Sequence, residues 1–465
     1  MLLVQLAERA LQIRIDTVPG EAVDTAQEAI LDTVGVTLAG SRADCVAAVR
    51  AAVAGMSSGP STLFGEKVQV SALDAALING TASHALDFDD CSNTMGGHPS
   101  APIIPALWAL AERQGSSGRD LLEAYVTGFE VETKLGRAVN FHHCEKGWHP
   151  TSTLGTFGAA AACGRLLLLD EEQLTRALAI AASMASGIKA NFGTMTKPFH
   201  VGHCARNGLL ASLLAFEGLT ANAGALEDPQ GFFNVYNGPG TFDADRLLAG
   251  FAEPLDLIEP GVAFKRHPCC ASTHPALDAL LKITSENRIA AQDIAAIRSW
   301  THPRRLRHTN RPDPKSGLDG KFSVQYVLAR AALEGAVRID HFSDSAVHDP
   351  HVRAFMSLIE AQPHPDAVME TTEHFFAQVR VTTRDGSVFE TYVDRPLGRD
   401  RNHPLPPGAL ETKFRDCANL VLESSATDAI ADAILDLKAV DDVRHIGALM
   451  RDGLRQDERR KSVVG

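Results

Sequence analysis

The sequence predicts a mainly α-helical protein, with a large helical domain and a smaller domain that combines α-helices with β-strands. The first half of the chain is rich in Ala and Leu, with apolar residues at helical spacing. Segments that alternate β-branched with polar residues, as strands do, are scarce before about residue 290. After that point, an Asp-Gly pair joins two alternating segments, which indicates a β-hairpin.

The helical elements of the first domain follow from apolar residues that recur every three or four positions. Small residues crowd one of these segments, 153–168, and favour close packing against neighbouring helices. The polar segment 193–202, which contains Lys197, is predicted to be a loop. Helices are predicted over 26–38, 72–86, 102–113, 120–139, 153–168, 174–186 and 207–216, in a domain covering 1–267.

The second domain is predicted to cover 268–400, where the pattern becomes mixed. Strands are predicted over 293–301, 377–382 and 388–393, and helices over 275–283 and 321–333. Asp385 and Gly386 lie in the short connection between the last two strands and are typical of a hairpin turn. The Pro-rich segment 401–410 marks a boundary, after which helices at 426–437 and 440–454 are expected to return to the first domain, so that 401–465 completes it.

Composition excludes some classes of protein. The 465 residues include 44 Lys and Arg against 57 Asp and Glu, a net charge of −13, which argues against binding nucleic acid. No apolar run reaches the length of about 18 residues that a membrane helix needs. Glu8 and Arg9 interrupt the apolar start, unlike a secretory signal. The eight irregularly spaced cysteines are typical of reduced thiols, so we expect a cytoplasmic protein.

Several catalytic motifs are missing from the sequence. It contains no GxGxxG after a strand, no GxxxxGK[ST], no HExxH and no GxSxG. Dinucleotide binding, P-loop phosphate chemistry and α/β-hydrolase chemistry are therefore disfavoured. These absences do not exclude the binding of pyridoxal phosphate or of a flavin.

The distribution of acidic residues is more informative than their number. Four windows contain no acid, namely 91–111, 146–169, 173–216 and 260–277. They carry the segments GGHPS (96–100), GWHPTST (147–153), TKPFHVGH (196–203) and FKRHPCCASTH (264–274), and the first window directly follows the acidic cluster 87–90. If these segments meet, they form a cationic pocket with one acidic wall. Such a pocket suits a small di- or tricarboxylate and proton transfer on it.

Each candidate residue also has a purely structural interpretation. Asp87, Asp89 and Asp90 fit a solvated helix end, and His98 before a proline fits a structural turn. A metal site is a further alternative, because several histidines and Asp87 are of the ligand types that Zn²⁺ or Fe²⁺ binds. No ordered ligand spacing supports it, and nearby lysines would oppose a cation. The histidines concerned are His98, His149, His200 and His203.

Motifs spread over most of the chain resemble those of the MmgE/PrpD family, which includes 2-methylcitrate dehydratase, cis-aconitate decarboxylase and iminodisuccinate epimerase. The resemblance implies a large helical domain formed by both ends of the chain, a smaller α+β lid domain and a homodimer with no required organic cofactor. The matching segments are ILDTVGVTLAGS (30–41), LDFDD (86–90), GHPS (97–100), GWHPTST (147–153), TKPFHVGHCARNG (196–208), FKRHPCCASTHPALDAL (264–280) and KFSVQYVLA (321–329).

The resemblance also implies a set of functional residues. Lys197 and Lys265 are expected to bind substrate carboxylates and to stabilise enolate-like charge. His149 and Asp87 are candidate bases, and His98 is expected to orient the substrate or donate a proton. Tyr326 is the candidate acid or hydrogen-bond donor. Further substrate contacts are expected from Cys91, His200 and His267, and no metal is expected.

The predicted reaction is cofactor-independent removal of a proton alpha to a carboxylate of a small polycarboxylate. Chain length and the SNTMGGHPS form of one loop favour an epimerase acting on iminodisuccinate or a similar substrate. The alternatives are a 2-methylcitrate-type dehydratase and then a cis-aconitate-type decarboxylase. The decarboxylase is placed last because Cys91 stands where decarboxylase-like members have Thr, and a thiol is a poorer hydrogen-bond donor. A carboxylate-binding protein without activity is the non-enzymatic alternative.

Overall fold

The computed structural model describes residues 1–53, 58–367 and 375–456. The chain divides into two compact units. The first unit comprises Met1–Phe264 and the chain from Pro407 onward, and the second comprises Lys265–Pro406. The sequence pattern predicts the corresponding boundaries after residues 267 and 400.

In its described residues, the first unit is built almost entirely of helices, with one short antiparallel pair of strands. Its elements before residue 264 are α1 (Leu2–Leu11), α2 (Gly20–Gly40), α3 (Asp44–Val53), β1 (Ser61–Thr62), β2 (Gln69–Val70), α4 (Ala72–Ala85), α5 (Ser100–Gln114), α6 (Gly118–Val139), α7 (His142–Lys146), α8 (Pro150–Thr153), α9 (Gly155–Leu166), α10 (Glu171–Met184) and α11 (Thr196–Phe216).

The second unit packs helices on a four-stranded sheet. Its elements are α12 (His274–Glu286), β3 (Ile294–Thr301), α13 (Pro303–Thr309), α14 (Gly317–Gly320), α15 (Val324–Glu334), α16 (Asp344–Val347), α17 (Pro350–Met356), β4 (Ile359–Pro363), β5 (Ala377–Thr383) and β6 (Val388–Val393). The strand order is β4-β3-β5-β6, in which β3 and β4 are parallel and the other pairs antiparallel. Alternate residues of β5 are buried, among them Val379 and Val381, in a core shared with α12 and α15.

Among the described residues after Pro407, three α-helices belong to the first unit: α18 (Ala409–Ala418), α19 (Ser424–Leu435) and α20 (Arg444–Asp452). Helices α18 and α19 contact α2, and α20 contacts α5. A buried ion pair between Lys413 Nζ and Asp32 Oδ1, 2.6 Å apart, joins α18 to α2. The returning segment therefore contributes both apolar and ionic contacts to the first unit.

Helices α4 and α11 approach each other closely because glycines lie at their contact. A Cβ on Gly80 would lie 2.8 Å from the Cα of Gly202, and one on Gly202 would lie 2.1 Å from the Leu77 carbonyl oxygen. Any larger residue would push the helices apart. This contact also explains why the predicted loop 193–202 is wrong from Thr196 onward. Gly202 packs within α11, which begins eleven residues before the predicted start at 207.

The predicted mainly helical fold with a smaller α+β part is confirmed. The hairpin is also confirmed, because Thr383 N donates to Ser387 O and Gly386 adopts a φ of +89° in the turn. Strand β4 was not predicted. It pairs with β3, and its segment lacks the β-branched alternation that would mark it in the sequence. Within the described residues, no helix is both long and apolar enough to cross a membrane.

Candidate active site

Seven polar side chains of the first unit form one cluster, which we call the His/Asp cluster. They come from the end of α4 and the segment that follows it, from the N-terminus of α8, and from the first turns of α11. The members are His84, Asp87, Asp89, His98, His149, Lys197 and His200. The His84 ring links His98 to His149. Its centroid lies 4.5 Å from the centroid of the His98 ring and 5.6 Å from that of the His149 ring.

The chain turns sharply where α4 ends, and this turn presents the acidic residues. Asp87 has a φ of +53°, a left-handed conformation that aspartate tolerates better than most residues. Asp87, Asp89 and Asp90 are all buried, at 5%, 0% and 0% exposure. The interpretation of these three residues as a solvated helix end is therefore wrong.

Lys197 and Asp87 form a buried ion pair at the centre of the cluster. Lys197 Nζ lies 2.8 Å from Asp87 Oδ1, and both side chains are less than a tenth exposed. The ammonium also lies 5.4 Å from the centre of the Phe192 ring, within reach of a cation–π interaction. His98 Nε2 lies 3.6 Å from the same carboxylate oxygen. Asp87 thus places a lysine and a histidine side by side.

Asp89 joins two histidines through one oxygen. Its Oδ2 lies 2.8 Å from His84 Nδ1 and 3.0 Å from His98 Nδ1. Burial opposes the charge on this carboxylate, but the two histidines outweigh it and hold the pKa of Asp89 well below its usual range. Burial lowers the pKa of His84 to about 4, so this histidine is neutral near pH 7. Asp89 is therefore an ionised acceptor, and both Nδ1 atoms carry hydrogens.

His149 lies immediately before α8, where Pro150 begins the helix. Its Nδ1 lies 3.3 Å from His200 Nδ1, so one ring donates and the other accepts. Burial, followed by the charges of His84 and Lys197, holds the pKa of His149 well below its usual range. A neutral imidazole beside a lysine has the protonation state that a general base requires.

Cys91 also lies beside the cluster. Its backbone N–H and C=O exchange hydrogen bonds with Ala263, each 2.8 Å long, which fixes the segment after Asp90. Its Sγ lies 3.8 Å from His98 Nδ1. The residue predicted to contact substrate is thus adjacent to the histidine predicted to donate a proton.

Three predicted site residues lie in the second unit. Lys265 and His267 are buried, and His267 Nε2 lies 3.5 Å from Asp278 Oδ1. Their substrate contacts stay a prediction. Tyr326 is fully buried, donates its hydroxyl proton to the His341 carbonyl and accepts a hydrogen bond from Arg330. That proton is hydrogen-bonded within the unit, and the role of Tyr326 as an acid or hydrogen-bond donor stays a prediction.

Two members of the cluster, His84 and Asp89, were not predicted as functional residues. His84 lies in the small-residue, apolar helix α4, where a histidine resembles any other core residue in sequence. Asp89 resembles its acidic neighbours. The spacing of three residues between His84 and Asp87 could have indicated that His84 lies near the site, because it places both residues at the same end of α4.

Four of these side chains have suitable ligand atoms for a metal ion. One ligand atom from each of His84, Asp87, Asp89 and His98 lies within 4.8 Å of the others. Lys197 already neutralises Asp87, and a second cation beside its ammonium would be repelled. Hydrogen bonds and ion pairs thus account for this arrangement, and the predicted absence of a metal stays a prediction.

Asp90, which follows Asp89 in the chain, affects stability through its protonation. Ser100 donates to it from its backbone N–H and its hydroxyl, and the same hydroxyl lies 2.7 Å from Tyr125 OH. Burial, with help from Asp32 and Asp89, raises the pKa of Asp90 to about 7. The folded state therefore retains a proton that the unfolded state loses near pH 4. As the pH rises from about 4 to 7, this residue should therefore lower the free energy of unfolding, by up to ~1.4 kcal/mol for each pH unit.

We expect Asp90→Asn to remove this contribution, so that the free energy of unfolding depends less steeply on pH between 5 and 7. Urea titrations at pH 5, 6 and 7 measure the slope. Asp313→Asn is the control, because a hydrogen bond from Lys315 holds the pKa of that carboxyl below its usual range, so its contribution is lost only as the pH falls through that range. Equal slopes in wild type and Asp90→Asn would contradict the expected protonation.

Comparison with known proteins gives the family. The N-terminal domain model of MmgE/PrpD matches residues 4–245, and the C-terminal domain model matches residues 267–438. Cis-aconitate decarboxylase of Homo sapiens is 30% identical over 457 residues, which cover 94% of this chain and 92% of the relative. The Mus musculus enzyme of the same name is 31% identical over 400 residues, covering 83% and 80%.

A fungal relative extends the match. Cis-aconitate decarboxylase of Aspergillus terreus is 26% identical over 462 residues, covering 94% of both chains. The relatives are enzymes, which agrees with the enzymatic interpretation of the sequence, and their names are those of lyases rather than epimerases. The two domain models together span most of the chain, in the order predicted from its motifs. The chain is a member of the MmgE/PrpD family.

Proposed function

We propose that this chain is a lyase that acts on a small polycarboxylate, with decarboxylation of cis-aconitate as the first candidate reaction. The named relatives support this alternative better than the epimerase that the sequence analysis favours. The observation that carries the proposal is the buried Lys197–Asp87 pair beside His98 and His149. This arrangement combines a cation for an anionic substrate with groups that transfer protons.

The chemistry of decarboxylation requires both features. When the bond to the departing carboxylate breaks, its electron pair shifts through the double bond to the carbon alpha to a second carboxylate. One CO₂ leaves, and one proton must be added to that carbon. Lys197 would stabilise the enolate-like charge. His98, with Nδ1 bound to Asp89, would deliver the proton from Nε2.

The same residues suit a second candidate reaction, the epimerisation of an iminodisuccinate-like substrate. Cys91 favours it, because the family resemblance places a stronger hydrogen-bond donor, Thr, at this position in decarboxylases. In this reaction His149 would remove the alpha proton as a neutral base, and a donor on the opposite face would return one. Lys265, His200 and His267 are retained in the proposal as substrate contacts. The homodimer and the cytoplasmic location stay predictions.

Turnover followed by ¹H NMR in D₂O tests the proposal. We expect cis-aconitate to release CO₂ and to give an unsaturated dicarboxylate with one deuteron alpha to a carboxylate. Formation of an unsaturated acid from 2-methylcitrate would support the dehydratase instead. Exchange of the alpha hydrogen of iminodisuccinate without net product would favour the epimerase and overturn the lyase proposal. Absence of turnover and of exchange with all three substrates would favour the carboxylate-binding alternative.

A further inference from the structure

We infer that Asp89 and His84 are positioning residues that set the tautomer of His98, so that its Nε2 is the atom that exchanges a proton with substrate. This inference rests on the proposed function, because it assigns how one residue of that site is prepared for proton transfer. The two residues are not themselves expected to touch substrate. They act through His98.

The geometry requires the hydrogen of His98 to lie on Nδ1. An ionised carboxylate only accepts hydrogen bonds. Asp89 Oδ2 lies within 3.0 Å of Nδ1 of both His98 and His84, so each of these nitrogens must donate. The remaining nitrogen of His98, Nε2, lies 3.6 Å from Asp87 Oδ1, on the side of the Lys197–Asp87 pair. The nitrogen without a fixed hydrogen therefore faces the proposed reaction centre.

His84 is the second hydrogen-bond donor to Asp89. It is fully buried in α4, and its ring makes an edge contact with the His98 ring at 4.5 Å. Among the described residues, its Nε2 has no hydrogen-bond partner. With one nitrogen donating and the other unprotonated, His84 is neutral. It therefore does not neutralise the negative charge of Asp89, which can act on His98. That charge stabilises the imidazolium form of His98, from which a proton can be donated.

The first test is kinetic. Asp89→Asn keeps the shape of the side chain but removes its charge, and its amide can donate to Nδ1, which favours the other tautomer. We expect kcat to fall by about 10²–10⁴-fold, close to the effect of His98→Gln, with KM changed by less than about threefold. In the His98→Gln background, Asp89→Asn should cause no further fall in kcat, because Asp89 acts through His98 alone.

Two matched variants separate positioning from a general loss of structure. Asp256→Asn alters another buried aspartate that contacts two basic side chains, Lys134 and Arg137, and should leave kcat per folded molecule unchanged. His84→Asn offers an amide near the Nδ1 position and should retain most of the activity, whereas His84→Leu should lose it. If Asp89→Asn does not fold, the His84 pair decides the question.

The tautomer can be measured without any activity, so failure of this inference is distinguishable from failure of the proposed function. In ¹⁵N-histidine NMR of the full chain, assigned with His84→Gln and His98→Gln, we expect both residues to carry hydrogen on Nδ1 in the wild type. His98 should change tautomer in Asp89→Asn. A neutral His98 with its hydrogen on Nε2 and none on Nδ1 in the wild type, or additive losses of kcat in the double variant, would overturn the inference.

Discussion

Lys197→Met should lower kcat/KM of the proposed lyase by about 10²–10³-fold or more, because it removes the cation placed where enolate charge would develop. It should also lower the free energy of unfolding by ~3–5 kcal/mol, since it takes away the partner 2.8 Å from the buried Asp87 carboxylate. Methionine approximates the length of the lysine stem, so the loss reflects charge more than volume. Steady-state kinetics and urea titration measure the two effects.

The double variant Asp87→Asn/Lys197→Met distinguishes the two roles of this pair. Removing both charges should restore part of the lost stability, because a neutral amide replaces the buried Asp87 carboxylate that lost its lysine, while activity stays absent. Lys134→Met is the matched control, since Lys134 is another buried lysine of the first unit, 2.8 Å from Asp256. It should destabilise the protein but leave kcat per folded molecule intact. Full activity in Lys197→Met would contradict the assigned role.

His98→Gln should lower kcat by about 10²–10⁴-fold with a small effect on KM, the amount that a positioned acid or base contributes. Glutamine offers an amide near the position of Nε2 and can donate a hydrogen bond, but it cannot transfer a proton. Product formation from cis-aconitate, followed by NMR in D₂O, measures the change. The thermal midpoint should move little, because His98 is partly exposed and Asp89 keeps His84 as a donor.

His341→Gln is the control for this variant. His341 is a buried histidine of the second unit whose Nε2 lies 3.0 Å from Glu334, outside the His/Asp cluster. Its replacement should change stability and leave turnover per folded molecule unchanged. Equal kinetic losses in the two variants, or an unchanged kcat in His98→Gln, would contradict the assignment of His98 as the proton donor.

Much of the fold and part of the candidate site can be predicted from the local sequence. Apolar spacing predicts α4, α5 and α6 to within a few residues, and the hairpin of β5 and β6 follows from its Asp-Gly turn. The absence of acids around His98, His149 and Lys197 also indicates a site. The structure brings these three residues together with Asp87 in one unit.

Tertiary contacts explain what the sequence pattern misses. Glycine and proline make 193–202 resemble a loop, yet Gly202 allows the close contact with α4 that makes the segment helical. His84 resembles a core residue because every side of α4 is buried near its end. Its role depends on Asp89, five residues later, which folds back onto it only because the chain reverses at Asp87. The hydroxyl partner of Tyr326 is likewise set by packing, since His341 lies in a different element.

The proposed roles of Lys197 and His98 in a lyase are tested by the deuterium content of product formed from cis-aconitate in D₂O by wild type, Lys197→Met and His98→Gln. We expect CO₂ release with a single deuteron alpha to a carboxylate in the wild type, and a loss of product of about 10²-fold or more in each variant. Product formation at wild-type rates in both variants would contradict this expectation. So would a wild-type protein that exchanges the alpha hydrogen of iminodisuccinate and leaves cis-aconitate unchanged.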